Sequence, residues 1–163
     1  MFKNKKLSAL AKTHKFANEA FLKSDTISKY RFIHIATHGF VNSFKPELSG
    51  ILLAQDTSSN LLGLNTPEDG ILYSGEIYNL KLNADLVVLS ACETGLGKMS
   101  EGEGVIGLTR ALLYAGSKNI IVSLWQVSDE STNKLMVDFY NNILKEEKKR
   151  FACHLSKAKL KLM

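Results

Sequence analysis

Two short stretches carry side chains able to do covalent chemistry. One is Arg31-Phe-Ile-His34-Ile-Ala-Thr-His38-Gly39, an apolar run closed by a histidine and a glycine. The other is Asp85-Leu-Val-Val-Leu-Ser90, which runs on into Ala91-Cys92-Glu93-Thr94-Gly95. An imidazole beside a thiol can take up its proton and later return it, and the thiolate so formed attacks a carbonyl carbon. The backbone N–H groups of Gly39 and Cys92 could hold the resulting oxyanion, since a glycine lets a substrate come close. On chemistry alone the assignment stays open, because a single cysteine after a buried strand is more often a packing residue.

The remaining candidates are weaker. On a strand His34 shares a face with His38, but it lies deeper and reads as a hydrogen-bonded core histidine. Glu93 either orients the site or faces solvent, and Thr94 can hydrogen-bond the loop. His14 and His154 lie on basic flanks, where surface positions are expected, and Cys153, at the start of an amphipathic stretch, reads as structural. Gly102-Glu-Gly104-Val-Ile-Gly107 has the form of a dinucleotide fingerprint, yet no strand immediately precedes it. Gly97-Lys98 suggests a phosphate loop, but Met99 stands where Ser or Thr is required. The simpler account is a flexible substrate loop over 95–103 followed by a helix. No Cys/His cluster has zinc spacing, and thiol chemistry of this kind calls for no metal or organic cofactor.

These side chains need elements to hold them. Loose helical spacing over 7–23 predicts a first helix. The run 31–39 predicts a strand, 50–54 a short one within a loop-rich region, and 74–80 one or two helical turns. Asp85–Ser90 is apolar almost throughout, as in a parallel strand covered on both faces. A helix follows over about 104–115, with Gly116 as its C-cap, then a buried strand at 119–125. Ser128, Asp129 and Glu130 open a long helix through about Lys148, striped by Leu135, Met136, Phe139, Tyr140, Ile143 and Leu144, and an amphipathic stretch over 152–162 closes the chain. Alternation of this sort predicts an α/β three-layer sandwich around a mainly parallel sheet, with ligands bound beyond the carboxyl ends of its strands.

The length of 163 residues fits one domain, and 45% apolar against 23% charged residues allows a packed core. No apolar run is long enough to span a bilayer, which argues against a membrane partner. The start Met1-Phe-Lys-Asn-Lys-Lys lacks the apolar stretch of a secretory signal, and two cysteines are too few for a disulfide scaffold. The expected location is therefore the cytoplasm. The net charge of +5 suggests nucleic acid until it is divided. Residues 1–31 hold eight Lys/Arg against two acids, and 145–163 hold seven against two, whereas 32–144 hold six against twelve. The basic charge sits on the flanks as solvated helix faces, so direct nucleic-acid binding is not expected.

His34-Ile-Ala-Thr-His38-Gly39, Leu86-Val-Val-Leu-Ser-Ala-Cys92-Glu-Thr-Gly95, Gly102-Glu-Gly104 and Leu124-Trp-Gln-Val-Ser-Asp129 together resemble the CHAT domain. That family of caspase-like cysteine peptidases is related to separases and often follows tetratricopeptide repeats. The resemblance implies a caspase-like α/β/α fold, placed over 31–163, and the charge and spacing of residues 1–30 make them a basic helical flank before it. It also implies a cysteine endopeptidase with a His38–Cys92 dyad, acting on protein or peptide substrates and paired with a regulatory protein or repeat domain. The Trp125-Gln-Val-Ser-Asp129 block is similar to a separase segment whose acidic residue prefers a P1 arginine; here that residue is Asp129, with Glu93 beside the nucleophile as a second substrate contact. Asp129 equally suits a helix cap. The family's further aromatic strand is expected to be missing after Ala158-Lys-Leu-Lys-Leu-Met163. The alternative function is an inactive caspase-like scaffold that binds partners.

Overall fold

The computed structural model describes residues 8–42, 44–55, 68–93, 103–123, 128–145 and 150–162, with 91–93 and 103–105 described as backbone only. The amino-terminal segment departs most from expectation. In place of a helix over 7–23 it forms a 3-10 turn at His14–Phe16, a short helix α1 (Glu19–Lys23) and a second 3-10 turn at Asp25–Lys29. The polar run Lys12-Thr13-His14-Lys15 offers no continuous apolar stripe, and His14 takes a φ of 52°. A helix starts only where the Asn18 side chain accepts the N–H of Phe21, at 3.1 Å.

Among the described residues the strands are β1 (Phe32–Phe40), β2 (Gly50–Leu52), β3 (Ile71–Tyr73), β4 (Leu86–Glu93) and β5 (Ile120–Val122). They form one sheet in the order β3-β2-β1-β4-β5. Its centre is parallel, β1 with β4 and β4 with β5, while β2 and β3 extend it antiparallel. The β4 residues Leu86 to Leu89 are almost wholly buried, which is why that strand reads as unbroken apolar sequence.

One face of the sheet carries Ile33, Ile51, Leu72, Val87 and Leu89 into a common core. Helix α3 (Glu103–Tyr114) closes that core with Leu108, Ala111 and Leu112, and the short helix α2 (Ser74–Ile77) adds Ile77. The alternating positions of β1, His34, Ala36 and His38, are solvent-exposed. Helix α3 stops at Gly116, whose φ of 110° and N–H to the Leu113 carbonyl (3.1 Å) turn the chain into β5. A Cβ at that position would stand 2.1 Å from the Leu82 carbonyl oxygen, so only glycine fits.

Chain contacts divide the protein into two compact units, 12–126 and the combination of 1–11 with 127–163. In the second unit, α4 (Asp129–Lys145) packs against α5 (Phe151–Leu162). Met136, Phe139, Tyr140 and Ile143 of α4 are buried, as are Phe151, His154 and Ala158 of α5. Lys161 Nζ meets Asp138 Oδ1 at 2.7 Å, linking the two helices. Two readings are corrected here. His154 is buried rather than on the surface, because it shares the i, i+3, i+7 stripe of Phe151 and Ala158. Cys153, read as structural, is an exposed free thiol on the outward side of α5. His14 is exposed, as expected of its flank.

Candidate active site

The parallel pairing of β1 with β4 is set at its amino-terminal end by charge. Asp85, immediately before β4, is held by the guanidinium of Arg31, immediately before β1, and by Lys118 Nζ at 3.1 Å from the approach to β5. Backbone bonds reinforce this clamp, with the Asp85 N–H on the Arg31 carbonyl at 2.7 Å and the Lys118 N–H on the Ala84 carbonyl at 2.9 Å. Register then runs without a bulge from Phe32 beside Leu86 to Gly39 beside Glu93. A slip of one residue would exchange every side chain between core and solvent, so the alternation of β1 protects this register.

Seven residues beyond the clamp on each strand, His38 and Cys92 are direct neighbours in the ladder. Adjacent strands lie about 4.8 Å apart, and paired positions fall on one face of the pleat. His38 is exposed, and Gly39 is buried between Ile51 of β2 and Glu93 of β4. His38, Gly39, Cys92 and Glu93 thus come together at the carboxyl ends of two parallel strands, where open α/β sheets bind their ligands.

Residues that sequence reasoning missed hold this end in place. The Thr37 hydroxyl donates to the Leu52 carbonyl, tying the last turn of β1 to β2. Past the site, Asn42 Oδ1 accepts the N–H groups of Phe44 and Lys45 at 3.1 and 2.9 Å, and the Asn42 N–H donates to the Ser49 hydroxyl at 3.0 Å. Ser49 is fully buried. The available signal was Asn42 itself, a residue whose side chain bonds the backbone two and three residues on.

His34 is not a core histidine. It keeps exposed surface on the His38 face, about 13 Å further down the strand. Neighbouring atoms still shield the ring enough that desolvation lowers its pKa below the ordinary 6.5. Asp129 is the exposed first residue of α4, in the other unit. The substrate loop expected over 95–103 lies outside the described residues up to 102, as do Thr94 and the Leu124–Val127 part of the fourth motif block. The side chains of Cys92 and Glu93 do as well. Among the described residues no three His, Cys, Asp or Glu side chains converge as a metal-binding group. No helix among them is long and apolar enough to cross a membrane.

The sequence profile of the CHAT domain matches residues 3–163, nearly the whole chain. The chain belongs to the CHAT domain family. The mixed α/β architecture with its parallel-centred five-stranded sheet agrees with the caspase-like, peptidase-related fold of CHAT domains. Tetratricopeptide repeat protein 28 of Mus musculus is 32% identical over 74 residues, and its Homo sapiens counterpart 35% over 74 residues. In both cases the match covers 45% of this chain and 3% of the relative. Those relatives are named for a repeat and not for a peptidase.

Proposed function

We propose that this CHAT domain is a cysteine endopeptidase in which Cys92 is the nucleophile and His38 its base. The observation that supports this reading best is the pairing of the two positions at the carboxyl end of β1 and β4. In the proposed cycle His38 takes the thiol proton, and the thiolate attacks the scissile carbonyl to give a tetrahedral oxyanion held by the Gly39 and Cys92 amides. Collapse breaks the C–N bond as the imidazolium gives its proton to the leaving amine. The neutral imidazole then takes a proton from water as the water attacks the thioester, and returns it to the Cys92 sulfur as the C–S bond breaks and the acid leaves. Two further roles rest on the family resemblance alone: Asp129 selects a basic P1 residue through a carboxylate–guanidinium pair, and Glu93 contacts the substrate beside the nucleophile. By analogy with relatives named for tetratricopeptide repeats, the domain works alongside a repeat segment or regulatory protein.

The test is labelling of the full chain by a peptidyl acyloxymethyl ketone ending in arginine, read by intact mass. Wild type and Cys153→Ala are expected to gain one label, and Cys92→Ala none. Asp129→Asn is expected to label about tenfold more slowly with the arginine probe, through loss of one charge-assisted pair. Labelling that survives in Cys92→Ala and disappears in Cys153→Ala overturns the assignment. No labelling of wild type supports the second reading, a caspase-like scaffold without turnover.

A further inference from the structure

Helix α3 is apolar on two sides. One side seals the core of its unit through Leu108, Ala111 and Leu112. The other exposes Ile106 (46%), Leu113 (50%) and Tyr114 (76%), four residues of a single face once Arg110 is counted. Tyr78, in the turn after α2 and 39% exposed, stacks edge-on against Tyr114 with ring centroids 5.4 Å apart. A contiguous apolar patch left on a surface marks an interaction site.

A groove of about 420 Å³ adjoins this patch, between the 3-10 turn Pro46–Leu48, α2 and α3. Tyr78 and Ile106 line it, Glu47 enters it from the turn and Arg110 from α3. Both charged residues are exposed, and neither forms an ion pair among the described residues. By contrast Glu76, Asp85 and Asp138 all have basic partners.

We propose that this face is where two copies of the chain associate about a two-fold axis. A two-fold interface sets one patch against itself, so residue i meets j and j meets i. A patch bearing charges of one sign repels its own copy. Among the described residues this one carries a cation and an anion without ion-pair partners, on different walls around an apolar centre, so it is its own complement. Arg110 of each copy meets Glu47 of the other, while Tyr78, Ile106, Leu113 and Tyr114 are removed from water together. The charge pattern thus selects a second copy of this chain over a partner of uniform charge. The proposal goes beyond the peptidase reading and does not depend on it.

Sedimentation velocity of the full chain, from about 1 to about 300 µM, tests it. Wild type is expected to pass from monomer to dimer over that range. Arg110→Glu and Glu47→Arg each place like charges across the axis, and each is expected to raise the dimer dissociation constant at least about tenfold. The double variant restores opposite charges and is expected to return to within about threefold of wild type, a coupling that independent sites do not give. Tyr114→Ser is expected to leave only monomer. All these positions are exposed, and matching thermal melts verify that each variant is folded. A wild type that stays monomeric throughout overturns the proposal, as does a dimer indifferent to both single reversals or a double variant no better than either. The readout is mass, so the result stands apart from whether Cys92 reacts.

Discussion

His34 and His38 stand four residues apart on one face of β1, and their neighbours give them different work. His38 pairs in register with Cys92, whereas His34 lies beside Val88 within the sheet. Because desolvation lowers the His34 pKa below 6.5, the folded protein binds this proton less readily than the unfolded chain does. The stabilisation from keeping the ring neutral is present above about pH 6.5 and is lost as pH falls through the lowered value. Urea midpoints at about pH 7.5 and about pH 5.5 are expected to differ in wild type and to converge in His34→Gln. An unchanged difference in that variant would assign the acid sensitivity elsewhere. Residue types alone did identify His38 and Cys92 as a possible pair. They did not separate exposed from buried for His34, His154 or Cys153, since that depends on which turn of an element meets a neighbour. For His154 the stripe Phe151, His154, Ala158 carried the answer, but the basic charge around it pointed to the surface.

At the scale of elements, the strongest local signals belonged to the strands that build the site. Gly39 placed the end of β1 to within one residue, the strand running on through Phe40 to pair with Gly50, and the apolar continuity of Leu86–Leu89 made β4 legible. The three residues of β3 were not, because a run as short as Ile71-Leu72-Tyr73 gains its structure from pairing with β2 rather than from any periodicity of its own. The register that brings the site together was only partly legible, since the alternation of β1 favours it but the meeting of Arg31, Asp85 and Lys118 joins residues far apart in sequence. Asp85→Ala leaves two exposed cations facing each other at a nearly buried position. It is expected to cost about 1–2 kcal/mol in a urea melt and to slow Cys92 labelling about tenfold or more through misplacement at the far end of the strands. Loss of stability with labelling unaltered would mean that the clamp does not set the register.

At the scale of the whole molecule, contacts between distant parts of the chain fasten the amino-terminal segment to the sheet edge. Lys23 Nζ bonds Glu19 at 3.0 Å and Glu76 at 2.8 Å, with Glu68 at 3.8 Å, while the buried Glu19 also accepts the N–H of Gly70 at 2.8 Å. Desolvation opposes the Lys23 charge, but the bonds to Glu76 and Glu19 outweigh it and hold the ammonium well above the ordinary lysine range. The Lys23–Glu19 pair is an ordinary i, i+4 contact, but nothing local in residues 12–30 predicts the links to Glu76, Glu68 and Gly70, some fifty residues away. Lys23→Ala leaves the Glu19 carboxylate without its counter-charge and is expected to cost about 2 kcal/mol, less than a fully buried pair because Lys23 is partly exposed. A denaturation curve superimposable on wild type would show that the network carries no net stability. Family membership was readable from four motif blocks and the parallel sheet centre from the alternation of strands and helices, whereas the division into two units came only from the folded chain.

The pairing of His38 with Cys92 is tested most directly by the rate at which iodoacetamide alkylates Cys92 at about pH 7, followed by peptide mass spectrometry in wild type and His38→Ala, with exposed Cys153 as the internal reference. An imidazole acting as the thiol's base predicts at least an about tenfold slower reaction at Cys92 in His38→Ala, with Cys153 unchanged. Equal Cys92 rates in the two proteins would contradict it.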